Sequence, residues 1–185
     1  MIHFDIDADG LGEIARELGA TDLQVRNALG RALRRTEASL RKLSSKGLTK
    51  ELGLRMATQL RNRLKSIRLR TTGDTQQVAL WYGLNPLPVS SFKGKPREEG
   101  RGASINGFYF KEGFIGKSKF KGRNTIFQRA GKKRLPIEEL NITIYDQAIV
   151  YIEDDIFDGD LVENTFWQHF RRDLKARVNY QIGGA

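Results

Sequence analysis

The sequence has no cysteine. That absence excludes disulfides, cysteine-ligated zinc, iron–sulfur clusters and thiol nucleophiles together, and it suits assembly in a reducing cytoplasm. Two histidines, His3 and His169, leave little for a histidine-rich metal site or an acid–base relay. No window approaches about 18 uninterrupted apolar residues, so a membrane-spanning helix is not expected. Residues 1–9 carry three acids where a signal peptide needs positive charge, so the chain reads as soluble and not exported by that route. A phosphate-binding glycine loop, internal repeats and long low-complexity tracts are also missing.

What the sequence does have is charge, with 32 Lys+Arg against 22 Asp+Glu for a net +10. Its distribution says more than its size. Residues 1–20 hold one base and five acids, 21–70 fourteen and three, 71–136 thirteen and four, and 137–185 four and ten. A basic middle between acidic ends suits a head-to-tail complement between copies, a polyanion surface, or both. At 185 residues the chain reads as one domain that buries its core without a staple.

Residues 1–65 read as mainly helical. Alternating apolar and acidic residues at 2–7 suggest a short strand, and Asp9 then caps a helix carrying Leu11, Ile14, Ala15 and Leu18 and ending at Gly19. Thr21 and Gln24 have the spacing of a capping box, which starts a second helix. Val25, Ala28, Leu29, Ala32, Leu33, Leu40 and Leu43 form its apolar stripe over about 20 residues. Arg26, Arg31, Arg34, Arg35, Arg41 and Lys42 fall largely outside that stripe. Ser44, Ser45 and Gly47 are expected to break the helix, with Thr49 capping a shorter one. Met56, Leu60 and Leu64 continue a helical stripe among Arg55, Arg61, Arg63 and Lys65.

Residues 66–152 read as mainly β. Segments 66–72 and 77–83 suggest two strands around a turn at 72–74, the second apolar on both faces through Trp81 and Tyr82. Such a strand is central in a sheet or covered by another subunit. Trp81, Tyr82 and Trp167 are therefore core or interface candidates. Segment 93–106 has almost no apolar content and reads as a mobile basic loop, as does 117–124. Phe108, Tyr109 and Phe110 and then Phe114 and Ile115 flank Lys111-Glu112 as a candidate hairpin. A strand at 125–129, a turn at 130–133 and an edge segment at Pro136 follow. A last helix over 158–180 carries Leu161, Phe166, Trp167, Phe170 and Leu174 inward. The expected class is α+β, with helices at both ends packed on an antiparallel sheet of four to five strands.

Candidate chemistry is sparse, and no catalytic, cofactor-binding or metal-binding residue is assigned. Acids at 153–163 lack the ligand offsets of a calcium loop, and Asp158 and Asp160 read as helix N-terminal acids. His169, amid Phe166, Trp167 and Phe170, reads as a structural histidine. The basic residues read either as a solvated face or as a surface that tracks phosphates without base readout. Arg31, Arg34, Arg35, Arg55, Arg61, Arg63, Lys65, Lys117, Lys119 and Lys121 are the candidates for facing DNA or a partner.

Aromatic strands, basic glycine-rich turns, Phe127-Gln128-Arg129, then Lys132, Lys133, Arg134, Pro136 and Ile137 give residues 107–137 the most specific texture in the chain. This order, together with the basic segment that includes Arg55, Arg61, Arg63, Lys65 and Arg68, resembles the minor tail protein Z family of long-tailed phages and prophages. The acidic first 20 residues and Glu98-Glu99 depart from that pattern. The resemblance implies a non-enzymatic virion component of the tail or neck, assembled in the host cytoplasm. It would act near the head-proximal end in head–tail joining, with a fold like those of ring-forming connector and tail-completion proteins. Implied partners are copies of itself in a ring, tail terminator, tail tube or connector proteins, and the end of the packaged DNA, with no membrane and no cofactor. A sequence-independent DNA-binding protein is the second reading, and a nuclease using acids around 153–163 the third.

Overall fold

The computed structural model describes residues 8–68, 78–118, 122–157 and 160–182. The expected first strand, the turn at 72–74, Asp158, Lys119 and Lys121 lie outside these residues. The class is α+β, and the described residues hold four α-helices: α1 (Ala8–Leu18), α2 (Asp22–Glu51), α3 (Tyr145–Tyr151) and α4 (Leu161–Asn179). The described strands form not one sheet of four to five strands but four small antiparallel sheets of two or three. Two compact units contain them: the described parts of Met1–Ser45, Asn62–Tyr82 and Ile152–Ala185, and of Lys46–Arg61 and Gly83–Tyr151.

In the first unit, the start of α2 follows from local chemistry. Gln24 N–H donates to the Thr21 hydroxyl at 3.3 Å, and Thr21 N–H donates to Gln24 Oε1 at 3.0 Å. This reciprocal pair satisfies two helix-end donors that would otherwise lack partners. Gln24 is itself buried, and its Nε2 also donates to the Arg177 carbonyl near the end of α4. At the other end of α1, Gly19 takes φ +63°, Gly19 N–H returns to Arg16 O and Ala20 N–H to Ala15 O. Glycine adopts that left-handed turn with no Cβ penalty. α4 stops with the same two-bond turn, although there Gln181 occupies the left-handed position at φ +51°.

The core of this unit gathers Ile14, Ala28, Ala32 and Leu33 with Phe166, Phe170 and Leu174. Ala28 and Ala32 are fully buried, and their small side chains leave room for the rings from α4. Phe166 and Phe170 lie near-parallel, one turn apart, with centroids 6.0 Å apart. Trp167 packs edge-on to both and is half-buried, its indole N–H donating to Glu163 at 3.1 Å. Leu43 instead lies exposed, outside the stripe expected for it. α4 begins at Leu161; Asp160 precedes it at the N-cap but makes no side-chain capping bond.

α2 does not break at Ser44, Ser45 and Gly47; it runs 30 residues. Ser44 is buried, and its hydroxyl shares a 2.8 Å hydrogen bond with Tyr82. Gly47 sits under the Tyr151 ring, which occupies the space a Cβ would need. Tertiary contacts thus override weak helix propensity. Thr49 lies inside the helix, which ends with Gly53 at φ +60°, Gly53 N–H on Lys50 O and Leu54 N–H on Thr49 O. The stripe at Met56–Leu64 is also not an α-helix: Ala57–Leu60 is one 3-10 turn, and Leu64 opens a strand.

That strand, β1 (Leu64–Arg68), pairs antiparallel with β2 (Val78–Tyr82), placing Lys65 opposite Trp81. Among the described residues this sheet has two strands, and β2 pairs on one side alone. Trp81 is 43% exposed, so of its two expected places, core or interface, the core does not hold, and its ring lies beneath Lys65 Nζ at 5.7 Å. Tyr82 is half-buried, edge-on to Phe157 in the π-helical turn Ile152–Phe157.

The second unit holds the remaining strands: β3 (Leu87–Pro88), β4 (Arg97–Glu99), β5 (Gly102–Ile105), β6 (Phe108–Lys111), β7 (Phe114–Lys117), β8 (Asn124–Arg129), β9 (Ile137–Glu139) and β10 (Asn141–Ile142). Segment 93–106 is not a loop: Gly100 turns the chain at φ +55° between β4 and β5, while Ala103 and Ile105 supply the two buried side chains that seat it. The two aromatic segments do not form a hairpin with each other. β6 joins β5 in the sheet β4-β5-β6, and β7 joins β8 in the sheet β7-β8-β9. Residues 148–151, within the expected β stretch, belong to α3.

Two variants test this packing. Gly102→Ala would place a methyl against the Phe110 carbonyl across the β5–β6 pair, and a loss of about 1–3 kcal/mol is expected in denaturant unfolding. Glu139 Oε1 accepts from buried Thr125 Oγ1 at 2.7 Å and from Ser90 N–H at 2.8 Å. Glu139→Ala strands both donors and is expected to cost about 1–3 kcal/mol by the same measurement.

Candidate interaction surface

On the sheet β7-β8-β9 the register puts Phe114 opposite Phe127, Phe127 opposite Glu139, and Arg129 opposite Ile137. Side chains alternate faces along a strand, so Phe114, Phe127, Arg129 and Ile137 share one face. The rings of Phe114 and Phe127 lie 6.2 Å apart. Gly116 lies beneath the Phe127 ring, where a Cβ would come within 2.9 Å of it. Toward Thr125 and Glu139 this face is closed by their hydrogen bond. Toward Arg129 it is open: Phe114 and Ile137 are exposed, Phe127 half-buried, and Leu135 on the adjoining turn is 67% exposed.

Lys132, Lys133, Arg134 and Pro136 on that turn are all exposed, as is Arg129. The result mixes aromatic rings, aliphatic side chains and cations, the composition favoured where one protein binds another. Sequence alone marked Phe127, Arg129, Arg134, Pro136 and Ile137. It did not mark Phe114, Gly116 or Leu135 as parts of the same surface. A glycine two residues after an aromatic, facing another aromatic strand, is the signal that would have found the first two.

The candidate basic residues do not form one set. Arg31 and Arg35 each lie 3.6 Å from Asp173, which is only 5% exposed, and Arg177 donates to the same carboxylate at 2.7 Å. These two helix arginines therefore serve the first unit's own packing, while Arg34 beside them is exposed. Arg61, Lys65 and Lys117 are exposed and Arg63 is half-buried. Arg55, in the second unit, donates from Nη2 to the Gly94 carbonyl at 2.8 Å. Among the described residues no three His, Asp or Glu side chains converge as metal ligands would, and Glu153, Asp154 and Asp155 lie exposed on the π-helical turn. No described helix is long and apolar enough to cross a membrane.

No family model, curated protein or solved structure matches the chain. The open face of β7-β8-β9 therefore has to be interpreted from its own chemistry.

His169 is a structural residue, with Nε2 hydrogen-bonded to Ser39 Oγ at 3.1 Å. Burial, then the charges of Arg35 and Arg172, hold its imidazole below the ordinary value of 6.5. The unfolded chain consequently takes up this proton first as pH falls. Stability held above about pH 6.5 is expected to decline as pH drops below it, and His169→Gln should flatten the decline in melts between about pH 7.5 and 5.5. Asp173→Ala leaves buried Arg177 without its partner and is expected to cost about 3 kcal/mol, whereas Arg34→Gln should change stability by no more than about 0.5 kcal/mol.

Proposed function

We propose that the chain is a structural assembly protein: a minor tail or tail completion component at the head-proximal end of a phage tail, forming a ring and needed for head–tail joining. One observation carries the reading. Phe127, Arg129, Arg134, Pro136 and Ile137, which carry much of the resemblance to the minor tail protein Z family, lie on or beside the open β7-β8-β9 face, where Phe114, Leu135 and Ile137 stay exposed beside Arg129. Exposed apolar side chains rimmed by cations are costly to leave in water and mark association surfaces. The acidic 137–185 segment offers the opposite charge for a neighbouring copy, as a heterologous interface closing into a ring requires. The role is mechanical rather than catalytic.

Deletion of the gene from its phage or prophage tests the reading, with heads and tails counted by electron microscopy. Unjoined heads and tails are expected, with joining restored by the wild-type chain. The double variant Arg129→Glu, Ile137→Asp alters two exposed side chains, so its melting should stay within about 1 kcal/mol of wild type. It should nevertheless fail to restore joining. Normal particle yield from the deletion, or full rescue by the double variant, would sink the idea.

A further inference from the structure

The second unit contains an open cleft of about 660 Å³ lined by Arg55, Gly94, Lys95, Pro96, Arg123 and Asn124. Three cations meet there, and none has a carboxylate within ion-pair distance among the described residues. The floor is built rather than incidental. Lys93 N–H donates to Gly53 O at 2.8 Å, Asn106 Nδ2 donates to Lys93 O at 2.8 Å, and Gly94 turns the chain at φ +104°. That turn presents the Gly94 carbonyl to Arg55 Nη2 and fixes the guanidinium, whose Nε is buried with no acceptor. An arginine held in place in this way, with Lys95 and Arg123 lining the same cleft, presents preorganised cations to oxygen anions.

We infer that this cleft binds the phosphodiester backbone of a nucleic acid without reading its sequence. A single carboxylate would neutralise one of the three cations, whereas successive backbone phosphates match all three. Small-ligand sites are enclosed and mainly apolar. This cleft is open, and among the described residues that line it Pro96 is the apolar one and none is aromatic, so they offer no ring on which a base stacks. The inference does not depend on the tail-assembly reading, because the cleft and the open β7-β8-β9 face share no residue.

The test is fluorescence anisotropy of the full chain with labelled duplexes of about 20 base pairs and unrelated sequence, titrated between about 50 and 200 mM salt, the range over which phosphate contacts are resolved. Similar affinity for every duplex is expected. Lys95→Gln with Arg123→Gln, both exposed, should keep the wild-type melting temperature and lower the steepness of log affinity against log salt by about 1.8, about 0.9 for each lost contact. Arg26→Gln with Arg41→Gln removes the same charge from exposed positions on α2 and should leave that slope unchanged. The inference fails if wild type does not bind at low salt, or if the two double variants lower the slope equally. It also fails if inorganic phosphate or poly-glutamate at matched ionic strength displaces the duplex, which would assign the cleft to an isolated phosphate or an acidic protein segment.

Discussion

A carboxylate taken out of water must be surrounded by donors, and Asp173 meets that demand with three arginines. Arg177 comes from its own helix one turn on, and Arg31 and Arg35 come from α2. The buried charge therefore fixes which side of α2 faces α4, and it does so beside the ring pair Phe166–Phe170 that fills the core. Apolar packing alone tolerates some sliding of one helix along another. A buried ion cluster narrows that freedom, because both α2 arginines reach Asp173 only in this register. The same cluster gives Arg31 and Arg35 a carboxylate partner within the chain, so these two of the basic candidates are already engaged.

In the second unit the equivalent organising group is Glu139. One of its oxygens accepts both the Thr125 hydroxyl and the Ser90 backbone N–H, tying the last residue of β9 to the middle strand and to the turn after β3. With that end closed, the exposed part of the face is confined to the Arg129–Ile137 end. The open surface is therefore small and defined, with Phe114, Phe127, Arg129 and Ile137 set on the sheet and Leu135 on the turn that joins two of its strands.

What was legible in the sequence was what local chemistry decides. The Thr21–Gln24 capping box, the Gly19 stop, the inward residues Phe166, Phe170 and Leu174, and the pairing of the strands on either side of residues 72–74 all follow from spacing over a few residues. What was not legible depended on distant partners. Ser44 and Gly47 look like breakers until Tyr82 and Tyr151 are in place. Segment 93–106 looks unstructured because Ala103 and Ile105 are only two apolar residues, yet pairing with β6 orders them. Phe110 and Phe114 look like hairpin partners, but Glu112 at φ +60° and Gly113 send the chain on to a different sheet. Of the basic candidates, sequence could not separate Arg31 and Arg35 from Arg34, since only the position of Asp173 distinguishes them.

Among the described residues β9 is an outer strand of its sheet, and it is three residues long. Pro136 stands immediately before it, with a ring nitrogen that has no hydrogen to offer a further strand, and Glu138 puts a charge at its centre. A molecule that displays Phe114, Leu135 and Ile137 so close to a sheet edge runs the hazard of stacking edge to edge without limit. Here the backbone refuses that mode while the side chains invite contact. Association at the β9 edge would therefore be made by side chains fitting a complementary surface, which has a stoichiometry, and not by strand addition, which has none.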